Sequence, residues 1–469
     1  MSLLLGVNTL ARDYDSGRST PEEAVSELLA TIDRLDSTIE AWQALYADDA
    51  IDAAVAATKA RAAGHRIGPF HGIPFALKDI VDVQGRVTTA GSKAWAARLS
   101  PSTALIARRL LAAGGVLLGK TKTVEFALGG WGTNQHMGTP RNPWDAENAR
   151  VPGGSSSGSG AAVASGMTPC AIGTDTGGSV RLPAALCGVV GLKTTEGLIP
   201  TDGIVPLSHT LDTPGPMARS VADATLMFDV LTGRDQSSID DDWRQGTGLY
   251  ASLRKGVAGL HLGVLGDAER ALVEPNVLAD YDRAVETLTA LGARTSTFIP
   301  PLPFDEMKDQ TFVIVTAEAY YHHQSLYDDR SAPLDEFCRA RGLPGADVSA
   351  RDYVAAQLRR GEEQASFQHA FDSFDAMLTP GTPMVAPTHA EVDEDITPAH
   401  FTRAGNYLGL CGLCVPAGLA ATSGPSGTAP VVLPTSLQIL GRPFDEPMVL
   451  RIGAAFEEAR GDLGVPPLS

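Results

Sequence analysis

The sequence predicts an α/β protein in which helices pack on a large sheet. Two observations carry that class. Between Ile73 and Leu192, short apolar runs with strand character alternate with stretches of helical character. From Val151 to Thr174 the chain has no Asp, Glu, Lys or Arg, although its net charge is −18. That run contains Gly153-Gly154-Ser155-Ser156-Ser157-Gly158-Ser159-Gly160 and is followed by Asp175-Thr176-Gly177-Gly178-Ser179. A Gly/Ser linker would stay polar on both sides. Here the run flows into Ala161-Ala162-Val163-Ala164 and Cys170-Ala171-Ile172-Gly173, which read as a buried helix and a buried strand.

The elements follow in order. Thr20-Pro21-Glu22-Glu23 is a helix start, with Thr20 as N-cap, Pro21 at the first helical position and Glu23 closing a capping box. Val25, Leu28, Leu29, Ile32 and Leu35 then form one apolar face. A second helix is expected from about Asp48 to Ala63. Ile73 to Lys78 reads as a strand, Ser102 to Ala113 as a helix stopped by Gly114-Gly115, and Val116 to Gly119 as a short buried strand. Residues 236–398 are more charged and aromatic, with Pro-rich breaks, and read as an excursion that covers a pocket. Core-like sequence returns at Ala404 to Pro416 and Val431 to Leu440.

Composition narrows the function. A hydrophobic content of 43% and a charged content of 20% are those of an ordinary globular chain. The acidic balance argues against a nucleic-acid surface, which needs a basic patch. Apolar runs are too short for a membrane span, and Met1 to Gly6 makes a poor secretory signal. Five cysteines fit reduced thiols in a cytoplasm better than a disulfide framework. No Walker loop or dinucleotide fingerprint is present, so no cofactor is expected. The expected partner is a small molecule.

The chemistry centres on serine and lysine. Two glycines before Ser179 let successive N–H groups converge into an oxyanion hole. A serine there needs a proton acceptor, and no histidine lies near these loops in sequence. Lys78 ends a mostly apolar strand; burial would lower its pKa and make it a base. The alternative is a pairing of Lys78 with Asp79 or another carboxylate.

At these residues the chain resembles the amidase signature family of serine hydrolases. The likeness includes Gly72-Ile73-Pro74-Phe75-Ala76-Leu77-Lys78-Asp79, Arg141-Asn142-Pro143-Trp144, Pro152-Gly153-Gly154-Ser155-Ser156, Gly173 to Ala185, Gly188 to Lys193, and Asp212 to Asp223. It implies a large mixed, mostly parallel central sheet with helices on both faces. It favours one unit over residues 1–469, although the length alone would allow about three. A helical part covers about 1–66. It implies a triad of Ser179 as nucleophile, Ser155 behind a cis peptide bond as relay, and Lys78 as base. It places the oxyanion hole at Thr176, Gly177, Gly178 and Ser179, and loop support at Asp175 and Arg181. Ala127, Leu128, Gly129 and Gly130 would line the substrate pocket, with Trp131 at its edge or in the core.

Departures from the family pattern lie at Ser157, at Thr194-Thr195 and at Gly129 to Asn134. The last differs from the Ser-rich stretch of the glutamine-using amidotransferase chain. The preferred expectation is therefore a free-standing hydrolase of small amides, carbamates or urea-like compounds, acting as monomer or homodimer. The alternative is the glutamine-hydrolysing A subunit of a glutamyl-tRNA(Gln)/aspartyl-tRNA(Asn) amidotransferase. Tyr320, Tyr321 and Tyr327 hint at an aryl acyl group. Other motifs carry less. Gly154 to Gly158 fits G-x-S-x-G, but no strand precedes it. Ser252 to Lys255 fits S-x-x-K, but no K-T-G appears. Cys411-Gly412-Leu413-Cys414 and His322-His323 read as buried thiols and a surface pair rather than metal ligands.

Overall fold

Eleven strands form one sheet: β1 (Trp42–Leu45), β2 (Pro74–Lys78), β3 (Val116–Thr121), β4 (Cys170–Asp175), β5 (Val190–Lys193), β6 (Thr213–Ala218), β7 (His261–Val264), β8 (Arg294–Thr297), β9 (Ala376–Pro380), β10 (Cys411–Thr422) and β11 (Val431–Gly441). The computed structural model describes residues 5–422 and 430–468; Met1 to Leu4, part of the N-terminal stretch discussed above, lie outside them. The strand order is β1-β3-β2-β4-β6-β5-β10-β11-β9-β7-β8.

The sheet is mixed, as expected, but it is not mostly parallel. The pairs β2–β3, β2–β4, β7–β8 and β7–β9 are parallel. The pairs β1–β3, β4–β6, β5–β6, β5–β10, β10–β11 and β9–β11 are antiparallel. Parallel neighbours need a crossover. Helix Leu105–Ala112 supplies one between β2 and β3, and helix Pro275–Ala290 one between β7 and β8. In the middle of the sheet the chain turns back on itself instead, through β6 beside β4 and the β10–β11 pair.

Both faces are buried. Along β2, Phe75 and Leu77 pack into one apolar core and Ala76 into the other. The second core takes Val25, Ile32 and Leu35 of helix Pro21–Ile39 and Ala161 to Ala164 of helix Ser157–Ala164. The first takes Ile106 and Leu110 together with helices Val221–Thr232 and Glu446–Arg460. This explains why β2 and β4 read as unbroken apolar runs: every residue of both is buried.

The excursion does more than cover a pocket. It also supplies β7, β8 and β9 to the sheet. Its strands are four or five residues long, and β8 is largely exposed, so alternation there is too weak to read. Among the described residues no helix is long and apolar enough to cross a membrane, and all five cysteines are free and buried.

The helix Pro21–Ile39 begins as its sequence dictates. Thr20 Oγ1 accepts from Glu23 N–H at 3.2 Å, and Glu23 Oε2 accepts from Thr20 N–H at 2.9 Å. Thr20→Ala is expected to lower unfolding stability by about 1 kcal/mol, measured by urea denaturation, without changing turnover.

Candidate active site

β2 and β4 are parallel neighbours, with Ala76 opposite Ala171 and Leu77 opposite Ile172. Their carboxyl ends therefore deliver Lys78 and Thr174-Asp175 to the same edge of the sheet, where α/β proteins build sites. Lys78 is fully buried. Its Nζ donates to Ser155 Oγ at 2.7 Å and to Thr174 Oγ1 at 2.9 Å. Burial pushes the lysine down from 10.5 to about 7, against the pull of the Asp212 and Asp175 charges. The alternative pairing with Asp79 is not made. Successive strand residues point to opposite faces, and Asp79 turns to Lys120 Nζ at 3.3 Å and to Thr89 N–H at 3.0 Å.

Ser155 comes from the charge-free loop and is fully buried. The Gly154–Ser155 peptide bond is cis. Ser155 O accepts from Thr123 Oγ1 at 2.9 Å and from Val124 N–H at 3.2 Å. A Cβ on Gly154 would lie 2.7 Å from Gly132 N, so only glycine lets the two backbones approach this closely.

Ser179 ends the turn that follows β4. Its carbonyl accepts from Ser156 N–H at 3.2 Å; its hydroxyl hydrogen-bonds to no described residue. One carboxylate shapes the whole turn. Asp175 Oδ1 accepts from Gly178 N–H at 2.7 Å, and Oδ2 from Val180 N–H at 3.1 Å and Arg181 N–H at 3.3 Å. Arg181 closes on Asp175 from the other side, Nε at 3.0 Å and Nη2 at 2.9 Å. The guanidinium also donates to Gln438 Oε1 at 2.8 Å and Asn406 Oδ1 at 2.7 Å. Burial works to raise the Asp175 pKa, but Arg181 overrides it and holds the carboxyl down at about 2.

This clamp corrects one expectation. Gly178 N–H is committed to Asp175, so it is not a free oxyanion donor. The N–H groups of Thr176, Gly177 and Ser179 donate to no described residue. Gly178 has φ +132°, and a Cβ there would run into Thr402 Oγ1; its role is to turn the chain.

Ser179, Thr176 and Gly177 open onto a cavity of about 420 Å³ whose walls include Ala127, Leu128, Gly129 and Gly130. Phe126 and Ala127 adopt positive φ of 47° and 61°, which turns this segment at the cavity. Trp131 is core rather than rim, 2% exposed. Its Nε1 donates to Asp393 O at 3.1 Å and Ile396 O at 3.0 Å, pinning the loop that forms another wall. The tyrosine hint is not upheld. Tyr327 is buried against Phe126 and His323, Tyr320 bonds Asp328, and Tyr321 is 76% exposed. The aromatic rings that do line the cavity are Phe312 and Phe337. His323 is buried, and among the described residues no His, Cys, Asp and Glu group could hold a metal ion.

The family model named Amidase matches residues 23–450. The chain belongs to the amidase family. A relative from Symbiobacterium thermophilum, named as the A subunit of a glutamyl-tRNA(Gln) amidotransferase, is 33% identical over 97% of this chain and 96% of its own length. Among solved structures, an inhibitor-bound s-triazine catabolic enzyme from a vestigial protein complex matches with TM-score 0.86 and 30% identity, over 97% of this chain and 98% of that one. The A subunit of the Thermotoga maritima glutamyl-tRNA(Gln) amidotransferase matches with TM-score 0.75 and 30% identity, over 96% and 95%.

Three sets of polar groups in this amidase site escaped the sequence reading. Thr174 is the second partner of Lys78. Asp212 accepts from Thr176 Oγ1 at 2.5 Å and from Leu207 and Ser208 N–H at 2.9 and 3.0 Å; burial still raises it to about 6. Asn406 and Gln438 brace Arg181 from more than 200 residues away. Thr174 could have been found, because it lies on the same strand as Asp175; the others had no local signal. Arg181→Met is expected to cost about 3–5 kcal/mol of stability, because it strands a buried carboxylate. Guanidinium unfolding of the purified variant measures it.

Proposed function

We propose that this amidase cleaves C–N bonds through an acyl-enzyme on Ser179. The observation that carries the reading is a buried lysine poised near pH 7 and hydrogen-bonded to Ser155, one loop away from Ser179. Neutral Lys78 takes the proton of Ser155, which in turn takes the proton of Ser179. The Ser179 hydroxyl has no fixed partner among the described residues and is free to rotate toward Ser155. Ser179 Oγ attacks the carbonyl carbon, and the N–H groups of Thr176, Gly177 and Ser179 receive the oxyanion. The proton returns to the leaving nitrogen as the C–N bond breaks. Water then enters, splits the acyl ester and releases the acid.

For the bond cleaved, the better-supported reading is the side-chain amide of glutamine, as in relatives named for the A chain of glutamyl-tRNA(Gln) amidotransferase. This weighs against the preference drawn from Gly129 to Asn134. A free-standing small-molecule hydrolase is the second reading. What favours it is the higher TM-score of the s-triazine catabolic enzyme, 0.86 against 0.75 for the Thermotoga protein. Glutaminase assays with and without co-purified proteins, beside a panel of short amides, anilides and carbamates, separate the two. Glutamine turnover with stable partners supports the first, and Ser179-dependent cleavage of the panel without glutaminase supports the second.

Ser179→Ala is expected to lose at least about a thousandfold in kcat/KM with an unchanged circular-dichroism spectrum; near-wild-type activity would sink the mechanism. The pH profile follows from the sign of the lysine shift. Only the neutral amine accepts a proton, so kcat/KM should rise with pH through about 7 and level off above. Lys78→Arg, which stays protonated throughout, should lose about a hundredfold or more at every pH. A wild-type profile that falls across this range would refute Lys78 as the base.

A further inference from the structure

Three cationic side chains line the cavity, and two of them are matched. Lys308 Nζ donates to Asp305 Oδ1 at 3.1 Å, and Arg341 Nη2 meets Glu394 Oε2 at 2.6 Å. Arg403 is the exception. Its Nη1 donates to Lys308 O at 3.3 Å, and it makes no ion pair among the described residues. Its Nε is buried with no hydrogen-bond partner among them. An unsatisfied guanidinium N–H away from water is costly unless something completes it.

The position of this group is as informative as its lack of partners. A Cβ on Gly177 would lie 3.4 Å from Arg403 Cγ and 3.8 Å from Nε, so the guanidinium stem runs along the oxyanion turn. Thr402 Oγ1, the residue before, donates to Gly177 O at 2.9 Å and fixes that registry. The cavity's own carboxylates do not take up the charge. Glu394 is held by Arg341 and Thr133, while Asp309 and Asp395 are exposed at the rim. Guanidinium presents a planar fork that fits a carboxylate through two parallel N–H donors.

The geometry points to Arg403 as the anchor for a carboxylate on the substrate, so that the cavity selects amides carrying an anionic group over neutral amides. This rests on the reading of Ser179 as the nucleophile. It also accounts for the polar half of a cavity whose other walls, Leu182, Phe312 and Val315, are apolar. A carboxylate seated there lies on the same wall as the oxyanion donors, which favours compact substrates over long ones.

The test compares glutaramate with its neutral counterpart glutaramide. Wild type should prefer glutaramate. Arg403→Gln should reduce the ratio of the two kcat/KM values by about ten- to a hundredfold, mainly through KM for glutaramate. Arg403→Lys should restore part of the preference, because it keeps the charge but not the fork. If Arg403 merely ties its segment to Lys308, both substrates lose alike and the ratio holds, which overturns the inference. A second readout is independent of turnover: calorimetric titration of Ser179→Ala with glutarate, alone and with Arg403→Gln added. Binding that requires Arg403 upholds the anion site even if neither amide is hydrolysed, in which case the catalytic reading fails alone. Ser179-dependent hydrolysis with an unchanged ratio and no Arg403-dependent glutarate binding overturns the anion site and leaves the catalytic reading standing.

Discussion

A lysine buried without a counter-ion is the constraint around which this amidase is organised. Lys78 is fully enclosed and, among the described residues, meets no carboxylate at ion-pair distance. The polar contacts of its amine are two hydroxyls. Burial alone would favour the neutral amine, and any free carboxylate nearby would undo that. The surrounding acids are therefore committed elsewhere. Asp79 faces Lys120 on the opposite side of the strand, Asp175 is taken by Arg181, and Asp212 is held by Thr176 and two backbone N–H groups. The charge-free run from Val151 to Thr174 is the same constraint written in sequence. An ionisable side chain there would either pair with the lysine or have to be buried beside it.

The second requirement, a rigid set of N–H donors, is met by a different pair of charges. Asp175 and Arg181 are only six residues apart, yet the network they anchor is long-range. Gln438 lies on β11 and Asn406 on the short helix Arg403–Tyr407, so both halves of the sheet must be in place before the turn is fixed. A buried ion pair is weak evidence of stability in itself. Its use here is positional: one carboxylate collects the amides of Gly178, Val180 and Arg181 and leaves those of Thr176, Gly177 and Ser179 unspent. Catalytic geometry on a loop is thereby held by the core of the sheet rather than by the loop's own residues.

How much of this was legible follows from the range of each interaction. Thr20 to Glu23, the unbroken apolar strands and the Gly153 to Ser179 run are local patterns, and local patterns survive in a sequence. Lys78 was legible because a charged residue ending an apolar strand is anomalous. Strand direction was not: β6 and the β10–β11 pair are set by the return path of the chain, which no local periodicity encodes. The commitment of Gly178 N–H to Asp175 was equally hidden, since the motif gives a series of donors but not which one a side chain has claimed. The tyrosines misled for a related reason. Composition placed aromatic residues in the covering segment, but helix phase decides which ring faces inward, and it selects Phe312 over Tyr320 and Tyr321 on helix Phe304–Asp328.

The two halves of the site therefore differ in how they are built. The reacting groups come from strand ends and one adjoining loop, compact in sequence and shielded from charge. The recognition wall comes from residues 304–403, which carry charges of both signs to the cavity. Pairing among those charges is nearly complete, and the imbalance is specific. A guanidinium held down to about 10 by burial and by the neighbouring Arg341 is still protonated at any physiological pH. It cannot relieve its desolvation by losing a proton, as Lys78 can. The same dry environment thus produces opposite outcomes in two cations of one site. The lysine becomes a neutral base, and the arginine remains a fixed charge beside the oxyanion turn, where an anion brought in from outside the chain can match it.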